Sequence, residues 1–258
     1  MNVPHDGLVA FRSALLADER IEHAVMGRLG GVSQSPYRSL NVGGTVGDDP
    51  SAVAENLRRI YAALGWDSER VVRSHQVHED RVHRVSDDDA GQTIAATDAL
   101  ISDVPGILLM GRYADCVPIL LFDPLRAAVG LAHAGWRGTV QGIAAKTVRA
   151  MVSNFGSQPA DLIATIGPSI GPCCFEVGAS VRDEFRQAFS DAQGEVVDAD
   201  GRYVNLWRAN AIQLERCGVR AIDVAALCTS CHVDRFYSHR REKGGTGRFA
   251  VAIGLRSR

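Results

Sequence analysis

His78, Cys116 and His133 offer two imidazoles and a thiol. That donor set suits zinc or copper, and three protein ligands leave a fourth position for water or substrate, as in catalytic zinc sites. Their separations along the chain match no local chelating motif, so a fold has to bring them together. The same residues have two other readings. Cys116 and His133 can form a nucleophile–base pair, or Cys116 can be a small buried hydrophobe while each histidine bonds a backbone carbonyl. Side-chain type alone leaves all three open. Cys228-Thr-Ser-Cys-His232 matches the c-type haem attachment pattern and, equally, half of a structural zinc site. A second half is missing from the sequence pattern, because Cys173 and Cys174 are adjacent, a poor chelating spacing. Arg28, Arg137, Arg240, Arg241 and Arg248 are candidate phosphate ligands. Gly30-Gly-Val-Ser33 and Gly244-Gly-Thr-Gly-Arg248 could cradle an anion through backbone N–H groups, although neither fits a nucleotide fingerprint.

The elements that must position these residues centre on Met110–Thr139. Two apolar runs of strand length, Val117–Phe122 and Ala127–Ala132, are joined by a short turn at Asp123-Pro124, with Asp115 and Cys116 before the first and His133 after the second. A helix expected over about 139–155 would turn its free N–H groups toward whatever His133 faces, favouring an anion there. Upstream, Leu8–Leu15 and His23–Met26 read as strands, followed by a long Gly/Ser/Asn-rich loop of the kind that often carries function. Asp49-Pro50 opens a helix as N-cap and first helical position, with apolar residues at Val53, Leu57, Ile60, Tyr61 and Leu64 and Gly65 as its stop. Val71–Val85, Thr97–Ile101, Ile107–Met110, Asp161–Ile166 and Ile222–Leu227 read as extended segments, and Val177–Phe189 and Asn205–Cys217 as helices. A terminal hairpin is expected from Phe236–Arg240 with Phe249–Ile253. Strands and helices alternate without a clean βαβ repeat, which predicts an α/β fold with a mixed sheet and helices on its faces.

The 28 basic and 30 acidic residues leave a net charge of −2, without the clustered basic face that nucleic-acid binding needs. No apolar run approaches the roughly 20 residues of a membrane span, and the N-terminus lacks a signal-peptide pattern. The six cysteines are sparse for a disulfide scaffold in 258 residues. The expectation is a single domain over residues 1–258 in the cytoplasm with its thiols reduced.

Taken as a set, Arg28-x-Gly-Gly-Val-Ser33, Leu40-Asn41, Gln76-Val-His78, Thr97-Asp-Ala-Leu100, Ala114-Asp-Cys-Val-Pro118, His133-Ala-Gly-Trp-Arg-Gly138, Ile166–Gly171, Phe175-Glu-Val-Gly178 and the Phe-Tyr-Ser-His-Arg-Arg tail with its later Thr-Gly-Arg resemble the bacterial YfiH or laccase-domain proteins. These are also called multicopper polyphenol oxidase or purine nucleoside phosphorylase family proteins. The resemblance runs from about residue 20 to the C-terminus. It implies one three-layer α/β/α domain related to the cysteine-hydrolase domain of cytotoxic necrotizing factors, and a zinc or copper ion held by His78, Cys116 and His133. It also makes Cys228–His232 a family loop rather than a haem site. Glu79 and Tyr113 depart from the family pattern and are expected to reshape the pocket rim. The activities it implies are phosphorolysis of adenosine, inosine, guanosine or methylthioadenosine and deamination of adenosine. Cys116, His133 and Asp115 are then the catalytic candidates, Asp115 moving a proton, with Arg28, Asn41, Arg137 and Arg248 the substrate or phosphate contacts. The rivals are a metal-free Cys–His hydrolase acting on a peptidoglycan precursor, a binding protein whose metal only holds loops, and a copper phenol oxidase.

Overall fold

The computed structural model describes residues 2–5 and 8–257. In chain order the strands are β1 (Asn2–His5), β2 (Leu8–Phe11), β3 (Ile21–Met26), β4 (Val71–Ser74), β5 (Val82–Arg84), β6 (Thr93–Ile94), β7 (Ala99–Ser102), β8 (Leu108–Tyr113), β9 (Val117–Asp123), β10 (Ala128–Ala134), β11 (Ile163–Ile166), β12 (Ala221–Val224) and β13 (Phe249–Leu255). The helices are α1 (Pro50–Leu64), α2 (Trp136–Val140), α3 (Ile143–Phe155), α4 (Ala179–Ala188), α5 (Gln193–Val196) and α6 (Leu206–Arg216).

The α/β class is as expected, but the β layer is double. One sheet runs β1-β2-β3-β13-β8-β4-β6 and the other β12-β11-β9-β10-β7-β5. Both are mixed: β4 lies parallel to β8 and β6, and β11 to β12, among otherwise mostly antiparallel neighbours. The cause lies in β9 and β10, buried along their whole length. Leu120, Phe122, Val129 and Leu131 face the first sheet's Leu109, Val251 and Ile253, while Ile119, Leu121, Ala128 and Ala132 face α3 and α6. A strand apolar on both faces needs cover on both, and here a second sheet supplies one of them. Helix α1 covers the outer face of the first sheet, setting Ile60, Tyr61 and Leu64 on Met26, Met110 and Ala252. Each such fully buried side chain stabilises the fold by about 1.5–3 kcal/mol.

Helix α1 follows its local signals. The Asp49 carboxylate accepts the Ser51 N–H at 2.8 Å, and Gly65 ends the helix at φ +71°. The β9–β10 turn is held by Asp123, which accepts the N–H groups of Leu125 and Arg126 at 2.9 Å. Two expectations fail. The helix expected over 139–155 is split into α2 and α3 at Gly142, whose φ is +85°. The terminal hairpin is absent: β13 lies in the sheet interior between β3 and β8, so neither edge is free for residues 236–240. That segment forms turns instead, with the Ser238 N–H given to Glu242 and the Arg240 N–H to Asp115.

Candidate active site

Pro118 pairs with His133 and Val117 with Ala134 across β9 and β10. Cys116, immediately before β9, and His133, near the end of β10, therefore meet at one end of the second sheet. His78 comes from the loop between β4 and β5. The ligand atoms of the three lie within 4.8 Å of one another.

Asp98, just ahead of β7, holds this convergence together. Its side chain is fully buried and accepts the backbone N–H groups of Val77 (3.1 Å), His78 (3.0 Å) and Glu79 (3.0 Å), and Nδ1 of His133 at 2.8 Å. With Nδ1 donated to the carboxylate, Nε2 is the nitrogen left to face the cluster, the arrangement that fixes tautomer and orientation in histidine–metal sites. His78 adopts φ +62° and Asp115 φ +83°, left-handed conformations that cost a non-glycine residue about 1 kcal/mol or more. A Cβ on Gly135 would stand 3.1 Å from His78 Cδ2 and 3.3 Å from Cys116 Sγ, so glycine there keeps the centre open. Two imidazoles, one thiolate and a buried carboxylate behind one imidazole form a donor set that fits zinc.

The electrostatics agree with a charged pair. Burial pushes the Cys116 thiol up, but the facing His133 and His78 pull it down to about 6. Burial pushes His133 down, and the Cys116 thiolate and Asp98 raise it to about 9. Asp98 is raised by burial yet held below the usual carboxylate range by His133 and the Glu79 and Val77 N–H groups. The Tyr113 phenol is kept neutral by full burial and by the charges of Cys116 and Asp98.

The cluster opens into a cavity of about 530 Å³, within the range of small-molecule sites. Arg112, Arg137, Arg240 and Arg248 line it together with Trp136, Phe175, Ile170, His75 and His239. Among the described residues none of these four arginines forms a salt bridge with a carboxylate. Arg248 and Arg240 give hydrogen bonds to the carbonyls of Thr246, Gly247, Cys174 and Glu176 instead. Burial and the like charges of Arg73 and Arg248 hold the pKa of Arg112 below that of an ordinary arginine. Guanidiniums gathered at a cavity without carboxylate salt-bridge partners favour an anionic ligand.

Several sequence candidates take other places. Arg28 does not line the cavity: it stacks on Tyr237 at 4.4 Å and bonds Glu242 and the Val233 carbonyl. Asn41 is buried and shapes the wall from behind, accepting the N–H groups of Gly43 and Arg248 at 2.8 and 2.7 Å. Asp115 reaches the cavity, but both its oxygens are engaged, one by the Thr229 hydroxyl at 2.6 Å and the other by the Arg240 N–H at 2.7 Å. Neither glycine loop is an anion cradle: Gly31 and Val32 donate to Ser39 and Asn56, and Gly244, Gly245 and Arg248 to His239, Glu242 and Asn41. The helix after His133 begins at Trp136 rather than near Thr139, and α2 is five residues long. Glu79 and Tyr113 do not shape the rim. Tyr113 is buried, edge-on to His133 at 5.3 Å, and Glu79 meets the site through its backbone. Asp98 and Arg112 had no role in the sequence reading, although Asp98 lies inside the Thr97–Leu100 motif. A lone aspartate before a strand carries no sign that four donors converge on it.

Residues 22–256 match the family model described as multi-copper polyphenol oxidoreductase laccase. The chain is 41% identical to the purine nucleoside phosphorylase of Deinococcus radiodurans over 251 residues, covering 96% of this chain and 94% of that protein. It is 40% identical to the purine nucleoside phosphorylase YlmD of Geobacillus stearothermophilus over 239 residues, 88% and 87% of the two chains. In structure it resembles Bacillus licheniformis YfiH with a TM-score of 0.91 at 36% identity, over 97% of each chain.

Proposed function

This chain belongs to the multi-copper polyphenol oxidoreductase laccase family, and on that premise we propose that it is a zinc-dependent purine nucleoside phosphorylase. The observation that carries the reading is the cavity itself: a His₂Cys cluster on its floor, four arginines without carboxylate partners on its walls, and an apolar face of Trp136, Ile170 and Phe175. Inorganic phosphate satisfies the arginines, and a purine fits against the aromatic side chains. The relatives named purine nucleoside phosphorylase support the same substrate class.

His78, Cys116 and His133 hold the metal. When bound it supplies Lewis acidity, polarising an oxygen or acidifying a water. Copper is an alternative occupant of the same donors. Arg137 and Arg248 hold phosphate beside the ribose, so that a phosphate oxygen bonds C1′ while the bond from C1′ to the purine nitrogen breaks. The electron pair leaves with the purine, which takes a proton from His75 or His239 on the cavity wall, and the products are ribose 1-phosphate and free base. Asp115, bonded through both oxygens, positions Arg240 and the Thr229 loop in this scheme. Adenosine deamination by water at C6 is a second activity within the same reading.

The Cys116–His133–Asp98 arrangement also favours a metal-free cysteine hydrolase, since the thiolate, imidazolium and orienting carboxylate are all present. His78 weighs against it: hydrolase chemistry has no use for a second imidazole, on a residue whose backbone N–H is held by Asp98 in a left-handed conformation. Oxidation of phenols by a copper cluster has less support, because a single mononuclear His₂Cys set lacks the additional coppers that four-electron reduction of oxygen needs. The deciding experiment incubates adenosine and inosine with metal-quantified protein, with and without phosphate. Phosphate-dependent release of base, lost in Cys116→Ala and on chelation, is expected. Turnover that ignores chelators but stops on thiol alkylation would move the assignment to the hydrolase.

A further inference from the structure

Six cysteines are present, and four of them meet at one point outside the cavity. The Sγ atoms of Cys173, Cys174, Cys228 and Cys231 lie within 4.8 Å of one another. Cys174 and Cys231 are 3.5 Å apart, and Cys173 and Cys231 3.7 Å. A zinc ion bound to four thiolates at about 2.3 Å has sulfur–sulfur edges of about 3.8 Å by tetrahedral geometry, so these separations are close to those of such a site. We propose that Cys173, Cys174, Cys228 and Cys231 bind a second, structural zinc ion as a tetrathiolate that clamps the loop after β11 to the loop after β12.

The scaffold brings two independent halves into place. Strands β11 and β12 are parallel neighbours, and their loops stay paired beyond the sheet: the Ser169 N–H donates to the Leu227 carbonyl and the Thr229 N–H to that of Ser169. In one half, Cys228-Thr-Ser-Cys231 folds into a turn in which the N–H groups of Cys231 and His232 point at the Cys228 carbonyl, the Cys-x-x-Cys geometry of many zinc half-sites. In the other, the chain turns at Gly171-Pro172 so that the N–H groups of Cys174 and Phe175 return to the Gly171 carbonyl. That turn lets two adjacent cysteines face one centre, which their spacing alone does not indicate. The Gly171 N–H donates to Cys228 Sγ at 3.2 Å, tying the first loop to the second at the cluster itself. Four sulfurs around one point fit a tetrahedral ion, whereas disulfides would leave them in pairs.

The clamp is separate from the His78–Cys116–His133 cluster yet touches its cavity. Thr229, between the two cysteines of the turn, holds Asp115. Arg240 donates to the Cys174 carbonyl at 3.2 Å and stacks on Phe175, and both of these residues line the cavity. Binding replaces thiol protons: one zinc ion and four thiols give a tetrathiolate of charge −2 and four protons, with no electron transferred. Because the ligands come from two loops, the ion couples the order of this wall to metal occupancy.

The test uses Cys116→Ala protein, purified under reducing conditions, to remove one ligand of the cavity site, and measures bound zinc by elemental mass spectrometry. One tightly held equivalent is expected, and its loss when Cys173→Ser and Cys231→Ser are added. Replacement by cobalt(II) should give the intense visible and thiolate charge-transfer bands of a tetrahedral sulfur site. If the combined variant fails to fold, zinc X-ray absorption on the Cys116→Ala protein decides, with four sulfurs at about 2.3 Å expected. A folded combined variant that keeps its zinc overturns the proposal. So does a shell dominated by nitrogen and oxygen, copper in place of zinc, or a Cys174–Cys231 disulfide in freshly purified protein.

Discussion

At the scale of single residues, the proposed metal cluster depends on Asp98 as much as on the three donor side chains. One carboxylate fixes the tautomer of His133 and the backbone of His78, so Asp98→Asn should lower zinc affinity by about 10–100-fold while leaving the fold intact. A competition titration with a chromophoric chelator reads this, and unchanged affinity would remove Asp98 from the site. Arg137 is an exposed residue of the cavity wall that rests on Trp136 at 4.4 Å. Losing one charge-assisted contact to phosphate costs about 1.5–3 kcal/mol, so Arg137→Met should raise the KM for phosphate about 10–100-fold and change the KM for nucleoside much less. An equal rise in both would assign Arg137 a structural role. The residue types of the cluster were legible in the sequence, and the resemblance joined His78, Cys116 and His133 into one set. Asp98 was not legible, because its importance lies in four hydrogen bonds from distant segments.

At the scale of elements, the site exists because β9 and β10 are antiparallel neighbours whose ends carry Cys116 and His133. Gly135 follows at the exit of β10, and α2 needs no side chain there. A methyl group at that point meets His78 and Cys116, so Gly135→Ala should weaken metal binding at the His78–Cys116–His133 cluster alone while circular dichroism and the unfolding midpoint stay near wild type. Zinc affinity at that cluster equal to wild type would show that it has room to move. The strands and helix ends set by local chemistry could be read in advance: Asp49-Pro50 and Gly65 bound α1, and the apolar runs mark β9 and β10. The hairpin expectation failed because Phe249–Leu255 looks like any apolar strand, and nothing local says that β3 and β8 take both of its edges. The meeting of Cys173-Cys174 with Cys228 and Cys231 was not legible for the same reason, since those two arrive from another loop.

At the scale of the whole molecule, one buried histidine ties stability to pH. His23 lies on β3, 7% exposed, and its Nε2 accepts the Ser13 N–H at 3.0 Å. Burial, with the neighbouring charge of Arg12, lowers its pKa from 6.5 to about 4. The unfolded chain therefore takes a proton that the native state refuses as pH falls through this window. The His23 contribution is fully present above pH 6.5 and is lost progressively toward pH 4, by about 3 kcal/mol at most. Urea unfolding of wild type and His23→Gln at pH 7.5 and 4.5 should show a shallower pH dependence in the variant, and parallel curves would contradict this origin. The α/β class was visible from alternating elements. The double β layer was not, because a strand covered by helices on both faces and one covered by a helix and a second sheet have the same apolar pattern.

In the proposed reaction phosphate, not water, takes the sugar from the purine. Its most direct test follows inosine turnover by zinc-quantified protein in ¹⁸O-water, with phosphate varied and the sugar product analysed by mass spectrometry. Unlabelled ribose 1-phosphate, a rate that saturates with phosphate, and no activity in Cys116→Ala are expected. Free ribose carrying the water label, or base release that ignores phosphate, would contradict it.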